Sequence, residues 1–223
     1  MTVPAMHKIG KGLWVVDGPF RFAGIEFGNR MTLMQSGDGL LLHSPLPFDE
    51  RLLAAIQAIG EVKHLIAPNR EHNLHVQDWR DRLPGACLWA PPGAKKLHAD
   101  RSLVPGVTMP LRGIQVIPML GIPRLKEWVF VHEASATLVI TDLAFHFVNV
   151  SGFLSRLAIR AYGCYGRFGP TYLVRMLVKD RVLFKQSLRE VLQYPFDNII
   201  MSHGTVITGD GMGIFSSAFA NYL

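Results

Sequence analysis

The sequence predicts an α/β fold in which sheets pack on one another and helices cover them outside. Three observations carry that expectation. Short apolar runs recur through both halves of the chain and are bounded by Gly, Pro, Asn and Asp, the punctuation of strands. Stretches with apolar residues at helical spacing follow the strands in each half. Nearly half of the 223 residues are hydrophobic and 18% are charged, which supplies a core for such layers and argues against disorder.

Taken in order, Leu13–Val16 and Met31–Met34 read as strands joined through a Gly/Pro/Phe-rich turn region, and Leu40–Leu42 as a third after the turn Ser36-Gly37-Asp38-Gly39. This is an antiparallel opening, which His43-Ser44-Pro45-Leu46-Pro47 ends. Asp49 and Glu50 precede a helix to about Ile59, with Leu52, Leu53, Ile56 and Ile59 on one face and Gly60 as its stop. A central strand, His64–Ala67, breaks at Pro68 into the polar run Asn69–Asn73, and a helix is expected from Leu74 to Arg82. Leu88–Ala90 is a further strand, ended by Pro91-Pro92-Gly93, with a short helix expected around Ala94–Ala99.

Strands resume at Ile114–Ile117, Trp128–His132 and Thr137–Thr141. Segment 151–193 is helical in character and splits at Gly163–Pro170 into two helices. In the second, Leu173, Met176, Leu177, Leu183, Phe184, Leu188, Val191 and Leu192 recur at helical spacing and read as core. The break is either a plain helix–helix turn or a hinge able to bring Tyr165 or Arg167 over a site. Asn198–Met201 is the last strand and runs into Ser202-His203-Gly204.

The length fits one domain, residues 1–223. No run approaches the roughly 18 apolar residues of a membrane span. Met1-Thr2-Val3-Pro4 lacks the basic-then-apolar layout of a signal peptide, so a cytoplasmic protein with no membrane partner is expected. Cys87 and Cys164 are too few for a disulfide framework. The net charge is +6, and Arg156, Arg160, Arg167, Arg175, Lys179, Arg181, Lys185 and Arg189 lie in one segment. A solvated helix face is the simpler reading than a nucleic-acid footprint, because no aromatic-interleaved basic motif or Gly-rich phosphate loop accompanies them.

Polar groups sit just beyond four apolar strands: His43; His72 and His75; Asp142 with His146 nearby; and His203. Histidine and carboxylate groups delivered from separate strand ends are what a metal or acid/base site needs, because a scaffold must hold them apart and aim them at one volume. Each alone is more often structural than functional; Asp142, for one, could simply cap the following turn. Their shared placement is the signal.

In this order, strand–His cluster, strand–Thr-Asp, strand–Ser-His-Gly after an N-terminal β-meander, the chain resembles the metallo-β-lactamase-fold superfamily, in particular a divergent branch with an incomplete metal motif, over roughly residues 12–208. The resemblance implies a four-layer αββα sandwich and one or two metals, usually zinc. The superfamily's His-x-His-x-Asp-His motif falls on Arg70-Glu71-His72-Asn73-Leu74-His75. His72 and His75 match its second and last histidines, while Arg70 and Leu74 stand in the places of a histidine and the aspartate. No histidine lies around Pro118–Gly121, where a third-histidine segment belongs. Asp142 matches the metal-bridging aspartate, His203 the final ligand, and His43 replaces a structural aspartate.

That correspondence excludes a two-metal centre. It leaves either one divalent metal, zinc or another, on His75, His203 and Asp142 with or without His72, or no metal at all. Asp142 would orient the attacking water and Arg70 would hold or polarise the substrate. Arg70 could also supply the charge of an absent metal by pairing with Asp142 or Glu71, or point to solvent. The implied activity is hydrolase-like, on an ester, lactone, amide or phosphoester. The alternative is a metal-free relative that binds a small anionic ligand or self-associates as a homodimer through segment 151–193. Nucleic-acid processing rests on the positive charge alone.

Overall fold

The computed structural model describes residues 5–94, 97–150 and 152–223. The N-terminal half contributes β1 (Met6–Gly10), β2 (Leu13–Gly18), the small hairpin β3 (Arg21–Phe22) and β4 (Ile25–Glu26), β5 (Asn29–Ser36), β6 (Gly39–His43), α1 (Glu50–Gln57), β7 (Val62–Ile66), α2 (Val76–Arg82), β8 (Cys87–Ala90) and β9 (Arg101–Ser102). The C-terminal half contributes β10 (Ile114–Pro118), β11 (Trp128–His132), β12 (Thr137–Ile140), β13 (Phe145–His146), α3 (Phe153–Ala161), β14 (Phe168–Gly169), α4 (Tyr172–Leu177), α5 (Arg181–Val191), β15 (Asn198–Met201), β16 (Ile207–Thr208) and α6 (Gly211–Ala218).

One sheet runs β1-β2-β5-β6-β7-β8-β9 and the other β10-β11-β12-β15-β16. Their strands are apolar almost throughout because both faces are covered. Alternate residues divide between layers. In β6, Leu40 and Leu42 face α1 and α2 while Leu41 joins the inter-sheet core; β8 does the same with Leu88 and Ala90 against Trp89. In β11, β12 and β15 the inter-sheet residues are Phe130, Val139 and Ile200, and Val131, Leu138 and Ile199 face α5 and α6. The layers are therefore helix, sheet, sheet, helix.

Pairing is antiparallel through the meander and turns parallel for β6–β7–β8 and for β12–β15. The carboxyl ends of β6, β7, β12 and β15 consequently open on the same rim. Two backbone bonds stitch the sheets together there: Trp128 N–H to the Pro68 carbonyl at 2.8 Å and Arg70 N–H to the Leu125 carbonyl at 3.2 Å.

Several expectations are corrected. Strands β1, β9 and β16 and helix α6 have no counterpart in the sequence reading. Residues 94 and 97–99 are not helical, and the centre of that expected helix, residues 95–96, lies outside the described residues. The helix expected from Leu74 begins at Val76. The long second helix of segment 151–193 is two, α4 and α5, because Asp180 caps a fresh N-terminus by accepting from the Val182 and Leu183 amides. Leu173, Met176 and Leu183, read as core, are exposed at 53%, 70% and 40%.

Candidate metal centre

Three side chains meet on the rim. His72 Nε2 lies 3.1 Å from His203 Nε2 and 3.4 Å from Asp142 Oδ2, and His203 Nε2 lies 3.7 Å from Asp142 Oδ1. One ligand-type atom from each of the three falls within 4.8 Å of the others.

Local structure aims each of them. Asn69, fully buried just past β7, accepts the Glu71 and His72 amides on its side-chain oxygen, both at 2.8 Å. This Asx turn swings His72 inward. The amide nitrogen of Asn69 donates to Asp142 Oδ2 at 2.8 Å. Asp142 is anchored through its backbone as well, because the buried Glu127 accepts the Thr141 amide at 2.7 Å and the Asp142 amide at 2.8 Å. His203 follows β15 in a loop clamped by Arg30 of β5, whose Nη1 donates to the Met201 and Gly204 carbonyls at 2.9 and 3.0 Å. Gly204 has φ +92°, and a Cβ there would collide with the His146 carbonyl, so only glycine lets the loop turn.

The far nitrogens of both histidines are occupied. His203 Nδ1 donates to the Gly28 carbonyl, which leaves its Nε2 as a lone pair. His72 Nδ1 meets Ser44 Oγ at 2.7 Å. Ser44 sits at φ +53°, a strained conformation for a non-glycine residue, directly after β6. This backing from behind is the arrangement that orients metal-binding imidazoles.

Charge in the site is uneven. Burial alone would lower the pKa of His72, but the Asp142 carboxylate and its hydrogen bond outweigh burial and hold it above the ordinary value. Burial, reinforced by the charge of His72, pushes His203 down to about 4. Phe20, Phe27 and Phe145 pack around its ring at centroid distances of 5.6 to 6.3 Å. Burial would raise Asp142, yet the neighbouring His72 keeps it well below the usual carboxylate range. Burial and the Asp142 charge push Glu127 up to about 7 against the backbone amides that pull it down. The triad therefore sets one imidazole that the Asp142 carboxylate favours for protonation beside one that burial disfavours.

Two residues implied as site members lie elsewhere. His75 is half-buried at the cap of α2, outside the group of three, because the Asx turn spends the inward direction on His72 and the chain then enters the helix. Arg70 donates from Nε to the Gly93 carbonyl at 3.2 Å and forms no ion pair with Asp142 or Glu71 among the described residues. His43 is fully buried against Phe130 with neither ring nitrogen hydrogen-bonded, and burial drives its pKa down to about 3. His146 meets the Thr205 carbonyl at 3.1 Å. Arg167 is held on the Gly163 carbonyl and lines a separate cleft of about 580 Å³ with Arg175 and Asp210, so it does not cover the triad. Asn69, Glu127, Ser44 and Arg30 were not singled out by the sequence. Only Asn69 carried a signal, an Asx-turn residue immediately after a strand and Pro68.

The backbone places the chain among solved structures. A metallo-β-lactamase from Pontibacter korlensis superposes with a TM-score of 0.66 over 98% of this chain and 100% of its own, at 14% identity. The chain has the metallo-β-lactamase fold. A metallo-β-lactamase from Hirschia baltica gives a TM-score of 0.64 at 12% identity, covering 99% of this chain and 98% of the other. The metallo-β-lactamase FIM-1 from Pseudomonas aeruginosa in its mono-zinc form gives 0.62 at 14% identity, covering 99% and 95%. No family profile matches the sequence, and no curated protein does. Within the metallo-β-lactamase fold the triad occupies the rim where the parallel strands end. No helix among the described residues is long and apolar enough to cross a membrane.

Proposed function

We propose that the protein is a hydrolase-like enzyme of the metallo-β-lactamase fold with a mononuclear centre on His72, Asp142 and His203. The observation that carries this reading is the pair of backed histidines: both Nδ1 atoms are engaged from behind, and both Nε2 atoms face Asp142. Three such ligands with a free fourth position match the donor set of catalytic zinc sites, and one structural neighbour, FIM-1, has a mono-zinc form. A divalent ion held there supplies Lewis acidity and a water of lowered pKa.

The chain's own residues do the rest. His203 keeps one tautomer because its proton is committed to Gly28. Asn69 fixes Asp142 Oδ2, which leaves Oδ1 to orient water. Asp142 stays ionised, so it acts as ligand and acceptor and does not store a proton. Arg70 belongs to the Pro91–Gly93 wall and is removed from the reacting group. Ester, lactone, amide and phosphoester substrates all fit this chemistry.

One observation favours a second, metal-free reading. The three side chains already satisfy one another, with His72 Nε2 in contact with both Asp142 and His203. A relative of this kind binds a small anion or acts through self-association. Elemental analysis after zinc reconstitution, on protein purified without a chelating column, separates the two. About one equivalent, falling sharply in His72→Ala and His203→Ala but not in His75→Ala, supports the mononuclear centre. Less than about a tenth of an equivalent in the unaltered protein overturns it.

A further inference from the structure

We infer that the surface formed by α3, α4 and the start of α5 docks on an anionic lipid bilayer. The segment that builds this surface carries the net charge of the whole protein. Residues 152–189 contain eight Lys and Arg and one acidic residue, Asp180, while the remainder of the chain carries fifteen basic against sixteen acidic residues. None of the eight cations is buried, and none pairs with an Asp or Glu side chain among the described residues.

The same segment holds nine of the thirteen large hydrophobic side chains that are exposed among the described residues. Such side chains are unremarkable when scattered, but a concentration of them marks a contact surface. Helix α3 shows how they are arranged. At about 100° per residue, Ser155 and Ile159 point inward, where both are buried, and Ser155 receives the Glu26 amide of the β3–β4 hairpin. Phe153, Leu154 and Leu157 point outward, at 76%, 76% and 55% exposure. Arg156 and Arg160 border one side of that outward strip and are exposed.

An apolar strip turned to solvent beside arginines is the reverse of an ordinary surface helix and matches a helix lying in a lipid interface. Helix α4 continues it. Tyr172 is tied to the end of α3 by its backbone N–H, which donates to the Tyr162 carbonyl at 3.2 Å, and Leu173 and Met176 are exposed beyond it.

The charge selects the partner. A second copy of this chain would bring two surfaces of equal positive charge together, which repels. Nucleic acid would satisfy the cations but offers little for protruding Leu and Met side chains, and the segment has no base-reading motif. A bilayer with anionic headgroups satisfies both, drawing the arginines to the headgroups and the apolar strip to the acyl boundary. The contact is peripheral, and it stands whether or not the triad binds metal.

Flotation of the full chain with vesicles tests this, using phosphatidylcholine alone and phosphatidylcholine mixed with phosphatidylglycerol. Binding is expected only to the mixed vesicles and is weakened by salt. Phe153→Ser with Leu157→Ser is expected to reduce partitioning at least about tenfold, and Arg156→Ala with Arg160→Ala by about fivefold per charge. Because these side chains are exposed, thermal melts should match the unaltered protein and certify folding. Three results overturn the inference: no binding to mixed vesicles at low salt, binding that the serine pair leaves unchanged, or dimerisation in ultracentrifugation that the serine pair abolishes while vesicle binding is absent.

Discussion

Glu127 holds Asp142 by its backbone, accepting the Asp142 amide at 2.8 Å and the preceding Thr141 amide at 2.7 Å. One buried carboxylate thus positions another without touching its side chain. Both Glu127 oxygens face N–H donors, and Asn69 adds a third at 3.4 Å. Glu127→Gln would turn one oxygen into a donor facing a donor. The expected cost is about 2–4 kcal/mol in denaturant unfolding, together with weaker zinc binding. A stability within experimental error of the unaltered protein would refute this role.

Ser44 carries two opposed contributions, a hydrogen bond to His72 and a left-handed backbone at φ +53°. Ser44→Ala loses the bond and keeps the strain, whereas Ser44→Gly loses the bond and relieves the strain. The glycine variant should therefore be more stable than the alanine variant by about 1 kcal/mol. Both should bind zinc about ten- to a hundredfold more weakly. Chemical denaturation and metal titration read the two effects separately.

His43 gives the pH prediction. Its folded pKa of about 3 lies below the ordinary 6.5, so the unfolded chain takes up a proton that the fold refuses. That contribution to stability is complete above 6.5 and is lost as pH falls toward 3. His203, at about 4, works in the same direction, and Glu127, raised to about 7, works against it. The readout is therefore a difference between proteins. His43→Leu should equal or exceed the unaltered protein in stability at pH 7, because an unsatisfied buried imidazole is replaced by an apolar side chain. Its advantage should grow by about 2 kcal/mol between pH 6.5 and 4.5. Parallel melting curves across that range would disprove it.

Gly204 has no substitute. Its φ of +92° and its approach to the His146 carbonyl make Gly204→Ala clash with backbone, which cannot swing aside. A loss of about 3 kcal/mol or more is expected, with zinc binding lost because His203 is the adjoining residue. Calorimetry with and without zinc would show it: the unaltered protein should gain melting temperature from the metal and the variant should not.

The layers and two of the three site residues were legible because they depend on local pattern. Asp142 and His203 each sit directly past a run of buried strand, and the continuous apolar runs of β6, β8 and β12 mark strands covered on both faces. His72 and His75 could not be ranked, since the Asx turn of Asn69 decides between them and depends on contacts with Glu127 and Asp142 far along the chain. Glu127 carries no local signal of its buried role, because its partners Asn69, Thr141 and Asp142 lie far from it in sequence. Helical spacing merged α4 and α5 into one helix and could not say which apolar side points inward, so Leu173 and Met176 were assigned to the core and stand outside it.

The parallel pairing of β12 with β15 joins strands separated by the whole of α3, α4 and α5. During synthesis, His72 and Asp142 leave the ribosome well before His203, and long-range parallel pairing is slow to form. The three side chains therefore come together only when β15 slots in beside β12. A nascent or half-folded chain presents two of the three donors, too few for a tight site. Under the mononuclear reading, metal capture doubles as a certificate that β15 has been paired correctly with β12.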